Sequence, residues 1–160
     1  MNQIVLLVIA SALGMATQVA PATAQGRLRG SDSLRVRLDA EHSLIEVNNR
    51  WRAGRMGNDA TLLGTLVTDN FIYGLDGTTE AGTRFLDDVK SGERSYEFIS
   101  DRETGFWIMG DSAIVTGLSI SRGYLRDVFS TGSSQFTRVY VRRDGRWLMR
   151  SSSSRSMIET

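Results

Sequence analysis

Two carboxylates, Asp101 and Glu103, stand two residues apart in "SYEFISDRETGFWIM". On a strand they share one face, because side chains alternate with period two. A buried pair would raise one pKa and could do acid/base work. The competing reading is a solvated charge run, since Glu93, Arg94, Glu97 and Arg102 crowd the same stretch. "SSSSRS", Ser151 to Ser156, offers hydroxyls but no base: His42 is the only His, and no G-x-S-x-G elbow occurs. There is no Cys, which excludes disulfides, thiolate catalysis and Cys-ligated metals. One His excludes Cys/His zinc sites, two-His metal sites and H-E-x-x-H. Neither Walker A nor G-x-G-x-x-G is present. No metal or cofactor is expected. Any catalysis must rest on carboxylates, Tyr, Arg, Ser or Thr, or on pocket shape.

The elements that must position such groups can be read from periodicity. The chain has 160 residues, 41% hydrophobic and 23% charged, which suits one soluble domain with a real core. Its formal net charge of +1 argues against nucleic acid or an acidic membrane as partner. Residues 1–24 read as a signal peptide: an apolar run from Ile4 to Met15, then Ala22-Thr23-Ala24 before Gln25. Cleavage is expected after Ala24, with the mature protein in the periplasm or secreted. An uncleaved anchor is the alternative, although the run is shorter than the roughly 20 residues that span a bilayer. Residues 25–160 form one domain, with a core of about 31–156.

Val36, Ala40, Leu44, Val47, Trp51 and Gly54 step by three and four, predicting a helix from Ser31 to about Arg55. Asn58 or Asp59 caps a second, short helix to about Val67. "NFIYGL" is a short strand with Phe71 and Tyr73 on one face, and "LDGTTEAG" a loop. "TRFLDDVKSG" is a third helix closed by Gly92. Long strands follow through "SYEFISDRETGFWIM" and "SAIVTGLSISRGYL", and "RDVFSTGSS" reads as a loop. The fold class is α+β, with helices gathered on one face of a curved sheet.

"FTRVYVRRDGRWLMRSSSS" is a hairpin about Asp144-Gly145. A two-residue turn pairs Arg143 with Arg146, Val141 with Leu148, Val139 with Arg150 and Thr137 with Ser152. That face is expected to pack under the long helix, with Thr137, Arg150 and Ser152 near a pocket. Arg150 would bind a ligand carboxylate or pair with Asp101 or Glu103. The other face carries Phe136, Arg138, Tyr140, Trp147 and Met149. Aromatic, Met and Arg side chains are enriched at interfaces, so this face is expected to make a homodimer. Surface cross-strand pairs are the alternative.

"NNRWRAGRMGNDATLLGTLVTDNFIYGLDGTTEAG" resembles the opening of the nuclear-transport-factor-2-like superfamily. That group includes SnoaL-like polyketide cyclases and ketosteroid isomerases. "FLDDVKSG", "GDSAIVTG" and "FTRVYVRRDGRW" resemble a large, often secreted, ketosteroid-isomerase-like branch with a domain of unknown function. The resemblance implies a cone: a bent sheet wrapped around the long helix, open at one end and commonly dimeric through the sheet. It also places Trp51, Leu75 and Thr137 where the steroid isomerases carry a Tyr, a carboxylate base and a protonated Asp. A Trp N–H and a Thr hydroxyl donate hydrogen bonds, but Leu75 cannot take a proton. Steroid-isomerase chemistry is therefore not expected, unless Asp76, one residue on, swings inward through a bulge. The candidate pocket residues are Trp51, Tyr73, Thr137, Arg150 and Ser152. The expected function is binding of a small, largely apolar ligand, with cofactor-free isomerisation, hydration or cyclisation as the reaction class if there is one. A non-catalytic dimerisation or partner-binding domain with a filled cone is the alternative.

Overall fold

The computed structural model describes residues 22–157, with side chains from residue 32 onward. The expected leader lies outside these residues up to Pro21. The described residues open with helix α1 (Ala22–Met56). It begins earlier than the apolar stripe indicates, since the stripe reports only where a helix buries one face. Of the described residues, 22–35 form a unit of their own, and 36–157 form the second. Within the second unit the stripe holds from Ala40, with Leu44 and Trp51 fully buried. Val36 is an exception, lying exposed. Among the described residues no helix is long and apolar enough to cross a membrane.

Helix α2 (Ala60–Thr65) starts where Asp59 accepts a hydrogen bond from the Leu62 N–H at 2.9 Å, the expected cap. Strand β1 (Val67–Leu75) turns through Asp76-Gly77 into β2 (Thr78–Ala81), a short strand where a loop was expected. Helix α3 (Gly82–Ser91) ends at Gly92, whose φ of 81° only glycine adopts without strain. Three long strands and the C-terminal one follow: β3 (Arg94–Met109), β4 (Ser112–Leu125), β5 (Val128–Arg143) and β6 (Arg146–Ser156). The expected "RDVFSTGSS" loop is instead a tight turn at Arg126-Asp127 followed by strand, which extends the β4–β5 ladder to Leu125 and Val128.

The six strands form one mixed sheet in the order β2-β1-β6-β5-β4-β3, with β1 and β6 parallel and the other pairs antiparallel. The α+β expectation holds. Two bulges in β3, at Tyr96/Phe98 and Glu103/Gly105, bend that edge strand, as bulges do. The inner face of the curved sheet and the three helices enclose one core of Leu44, Trp51, Leu63, Phe71, Phe85, Val115, Phe136, Tyr140, Trp147 and their neighbours.

The hairpin turn is as expected, with positive φ at Asp144 (50°) and Gly145 (75°). Arg143 pairs with Arg146 and Val141 with Leu148. A bulge between Val139 and Tyr140 then gives β6 one extra residue, Arg150. Val139 therefore pairs with Ser151 and Thr137 with Ser153, not with Arg150 and Ser152. The faces are also the reverse of those expected. Phe136, Arg138, Tyr140, Trp147 and Met149 point inward and are at most 4% exposed within the single chain. They cannot form the surface that meets a second copy. Val139, Val141 and Leu148 lie on the outer face, half-buried.

Candidate functional site

The deep part of the cone is filled by its own side chains. Trp51 from α1 stacks on Phe85 of α3 with ring centroids 5.5 Å apart and meets Phe71 edge-on. Tyr73 stacks on the other side of the cluster against Phe85 at 4.4 Å. The Arg94 guanidinium lies 5.0 Å from the Tyr73 ring and 5.1 Å from that of Phe85, cation–π contacts that close the stack. Arg94 also donates to Glu80 at 2.7 Å.

Beside this stack, α1 and three strands bring a charged network together. Asp101 on β3 accepts from Arg138 of β5 at 2.5 Å, from Arg55 of α1 at 2.9 Å and from Ser119 of β4 at 2.7 Å. Asn48 accepts from Arg138 at 2.7 Å and from the Tyr140 hydroxyl at 3.0 Å, and donates to Glu103 at 2.7 Å. Burial pushes the Asp101 carboxyl up, but the Arg138 and Arg55 guanidiniums outweigh it and hold the group below the usual carboxylate range. Asp101 is thus a fixed anion, and Glu103 is held separately by Asn48. The two carboxylates share an inward face, as their spacing requires, yet they do not form an acid/base pair. Burial likewise pushes the Tyr140 hydroxyl well above its ordinary value, so it stays a donor.

Open space occurs nearer the mouth, as a pocket of about 300 Å³. Tyr73, Arg94 and Tyr96 line it on one side, and Leu75, Leu125 and Met157 on another. Burial and the neighbouring Tyr96 raise the Tyr73 hydroxyl far above its ordinary value, leaving it a hydrogen-bond donor. The remaining wall is the inner face of β4, β5 and β6. Where these strands near the opening, the inward positions are Ser119, Ser121 and Gly123, then Ser130, Gly132 and Ser134, then Ser154 and Ser156. Across Ser121, Gly123, Ser130, Gly132, Ser134 and Ser156 no inward side chain is larger than serine, which leaves room for the void, and Leu125 of β4 also lines it. The mouth is pinned by Asp76, whose carboxylate accepts from the Ser156 N–H at 2.6 Å and hydroxyl at 2.8 Å. These bonds hold its carboxyl below the usual range.

The sequence-predicted site residues do not converge. Tyr73 reaches the pocket, and Leu75 stands at its rim. Trp51 is wholly buried in the aromatic stack, and its indole N–H meets no acceptor. Thr137 is exposed on the outer face, because Phe136 and Arg138 take the inward positions. Arg150, displaced by the bulge, donates to the Asn70 carbonyl instead of to Asp101 or Glu103. Ser152 is buried beside Arg138 and does not line the pocket. Arg55, Arg138 and Asn48 were missed as a network, and Tyr96, Ser121, Ser130 and Ser134 as pocket wall. The alternating Ser and Gly of "SISRG" and "STGSS" was the signal available for the latter.

No protein-family model and no curated protein matches this sequence. Solved structures do match in shape. An NTF2-like protein from Cytophaga hutchinsonii superposes with a TM-score of 0.69 at 16% identity, over 73% of this chain and 98% of that one. An NTF2-like protein of unknown function in nutrient uptake from Rhodospirillum rubrum gives 0.68 at 18% identity, over 72% and 98%. An NTF2-like protein with a cystatin-like fold from Novosphingobium aromaticivorans gives 0.60 at 16% identity, over 89% and 94%. The fold is NTF2-like, as the sequence resemblance implied.

Proposed function

We propose that this chain is a small-ligand-binding domain that does no chemistry of its own and holds its ligand in the mouth of the cone. The carrying observation is the pocket of about 300 Å³ bounded by polar groups from five strands. That size lies at the lower end of the roughly 300–1,000 Å³ typical of ligand sites, which favours a compact ligand over a steroid. Against catalysis stand the pairing of Asp101 with two guanidiniums and the dispersal of Trp51, Leu75 and Thr137. Gly132 offers a test, because a Cβ added there meets nothing within 4 Å. Gly132→Trp should fold with an unchanged melting temperature and plug the pocket. A thermal-shift screen of steroids, aromatic acids and sugars should find compounds that stabilise the native protein and not this variant. A screen without a hit, or hits shared equally by both proteins, would sink the proposal.

A second reading, pairing with another copy, is favoured by the outer sheet face. Trp107, Ile114 and Val139 stand in one cross-strand row, with Val141 and Leu148 in the next. Trp107 is 51% exposed and Met109 58% exposed, so the band ends in bare apolar surface. Trp107→Glu with Val139→Glu should give a folded monomer on sizing. Tyr140→Glu, which puts a carboxylate in the core, should instead unfold. A native protein that runs as a monomer would end this reading.

A further inference from the structure

We infer that the mouth pocket takes an uncharged, polyhydroxylated ring of about monosaccharide or cyclitol size. The inference rests on the mouth being a ligand site, and it names the class of ligand from the chemistry of the wall. Each charged group on that wall already has a polar partner. Arg94 donates to Glu80 at 2.7 Å, Arg122 lies 3.1 Å from Glu97, and Asp76 is occupied by Ser156. A charged ligand would therefore lose its hydration against groups whose hydrogen bonds are already engaged.

Hydroxyls remain. Those of Ser121, Ser130 and Ser134 line the cavity and engage no other described residue. Each is one donor and two acceptor sites, the pattern that matches ligand hydroxyls in either role. Arg94, whose side chain is 8% exposed, also lines the cavity, and its buried Nε–H has no acceptor. Gly132, where an added Cβ would meet nothing within 4 Å, lets a ring approach the sheet closely, and Leu75, Leu125 and Met157 offer the apolar contact that the C–H face of a sugar requires.

The test is a titration of the isotope-labelled protein followed by amide resonances. Neutral probes are glucose, galactose, xylose and myo-inositol. Controls are glucuronate and glucosamine as charged counterparts, and indole as an apolar ring. At least one neutral polyol should shift the amides of Gly123, Gly132 and Ser134 saturably, with its charged counterpart weaker. Ser121→Ala and Ser134→Ala should each weaken that polyol about fivefold, the equivalent of one hydrogen bond. If only charged or apolar probes shift these amides, the ligand class is wrong and the binding site stands. If no probe shifts them, the polyol inference falls. If the compound screen also finds nothing that Gly132→Trp blocks, the binding proposal falls with it.

Discussion

Asp101→Ala is expected to destabilise the fold by about 3–5 kcal/mol, the typical cost of removing one partner from a buried ion network. Native stability is itself only about 5–15 kcal/mol, so the variant should unfold at a much lower urea concentration than the native protein. The reason lies in what is left behind. Arg138 and Arg55 have side chains 1% and 7% exposed, and Asp101 is the carboxylate they share. Without it two guanidiniums face each other in a dry interior. Arg138 is already strained in that sense: burial and the nearby Arg55 push its pKa down. Removing the whole network should behave differently. Asp101→Leu with Arg55→Met and Arg138→Met takes out all three charges, and such replacements are often neutral or stabilising. Asn48 would keep two of its partners, Tyr140 and Glu103. The triple variant should thus recover much of what the single one loses in urea unfolding. Equal loss in both would show that the charges are not the source of the cost.

The same carboxylate should mark the acid limb of stability. Its folded pKa lies below the usual value, so its contribution is present above the unfolded pKa of about 3.9. As pH falls through the lower folded value the contribution is lost. Uptake of that proton should vanish from the acid transition of the triple variant.

This network also explains where sequence reasoning stopped. Helix spacing, the Asp59 cap, the Gly92 terminus and the Asp144-Gly145 turn are local, and each was legible from a few neighbouring residues. The two faces of the last hairpin were likewise separated correctly from Val141 upward. What failed was the choice of the inner face. An arginine between Phe136 and Tyr140 argues for water unless a counter-ion is known. That counter-ion, Asp101, lies 37 residues away in sequence and is brought alongside only by pairing through β4. The guanidinium further lies 3.9 Å from the Phe136 ring, a contact that makes an aromatic face hospitable to it. The bulge at Val139 and Tyr140 is a second long-range fact. It moved Arg150 and Ser152 out of their expected pairs, and no local signal announces it.

Trp51→Ala should cost about 3–5 kcal/mol, as large aromatic truncations in a core do. The side chain is wholly buried, packed face-on against Phe85 and edge-on against Phe71, and Arg55 lies 5.9 Å from its ring. Rings in such arrangements contribute beyond their area. The more informative variant is Trp51→Phe. It keeps an aromatic face for Phe85 and removes an indole N–H that has no acceptor, an atom whose burial is itself unfavourable. Its cost in urea unfolding should be clearly smaller than that of Trp51→Ala. Trp51 is absent from the lining of the mouth pocket, so compounds that stabilise the native protein should stabilise Trp51→Phe to the same degree. A folded Trp51→Phe that no longer responds to them would instead make the indole N–H a ligand donor, the role that the resemblance to the steroid isomerases assigns to this position. The orphan N–H argues the other way. A group poised for a ligand needs space in front of it, and here Phe71 and Phe85 occupy two sides of the ring, with the Arg55 guanidinium over its face.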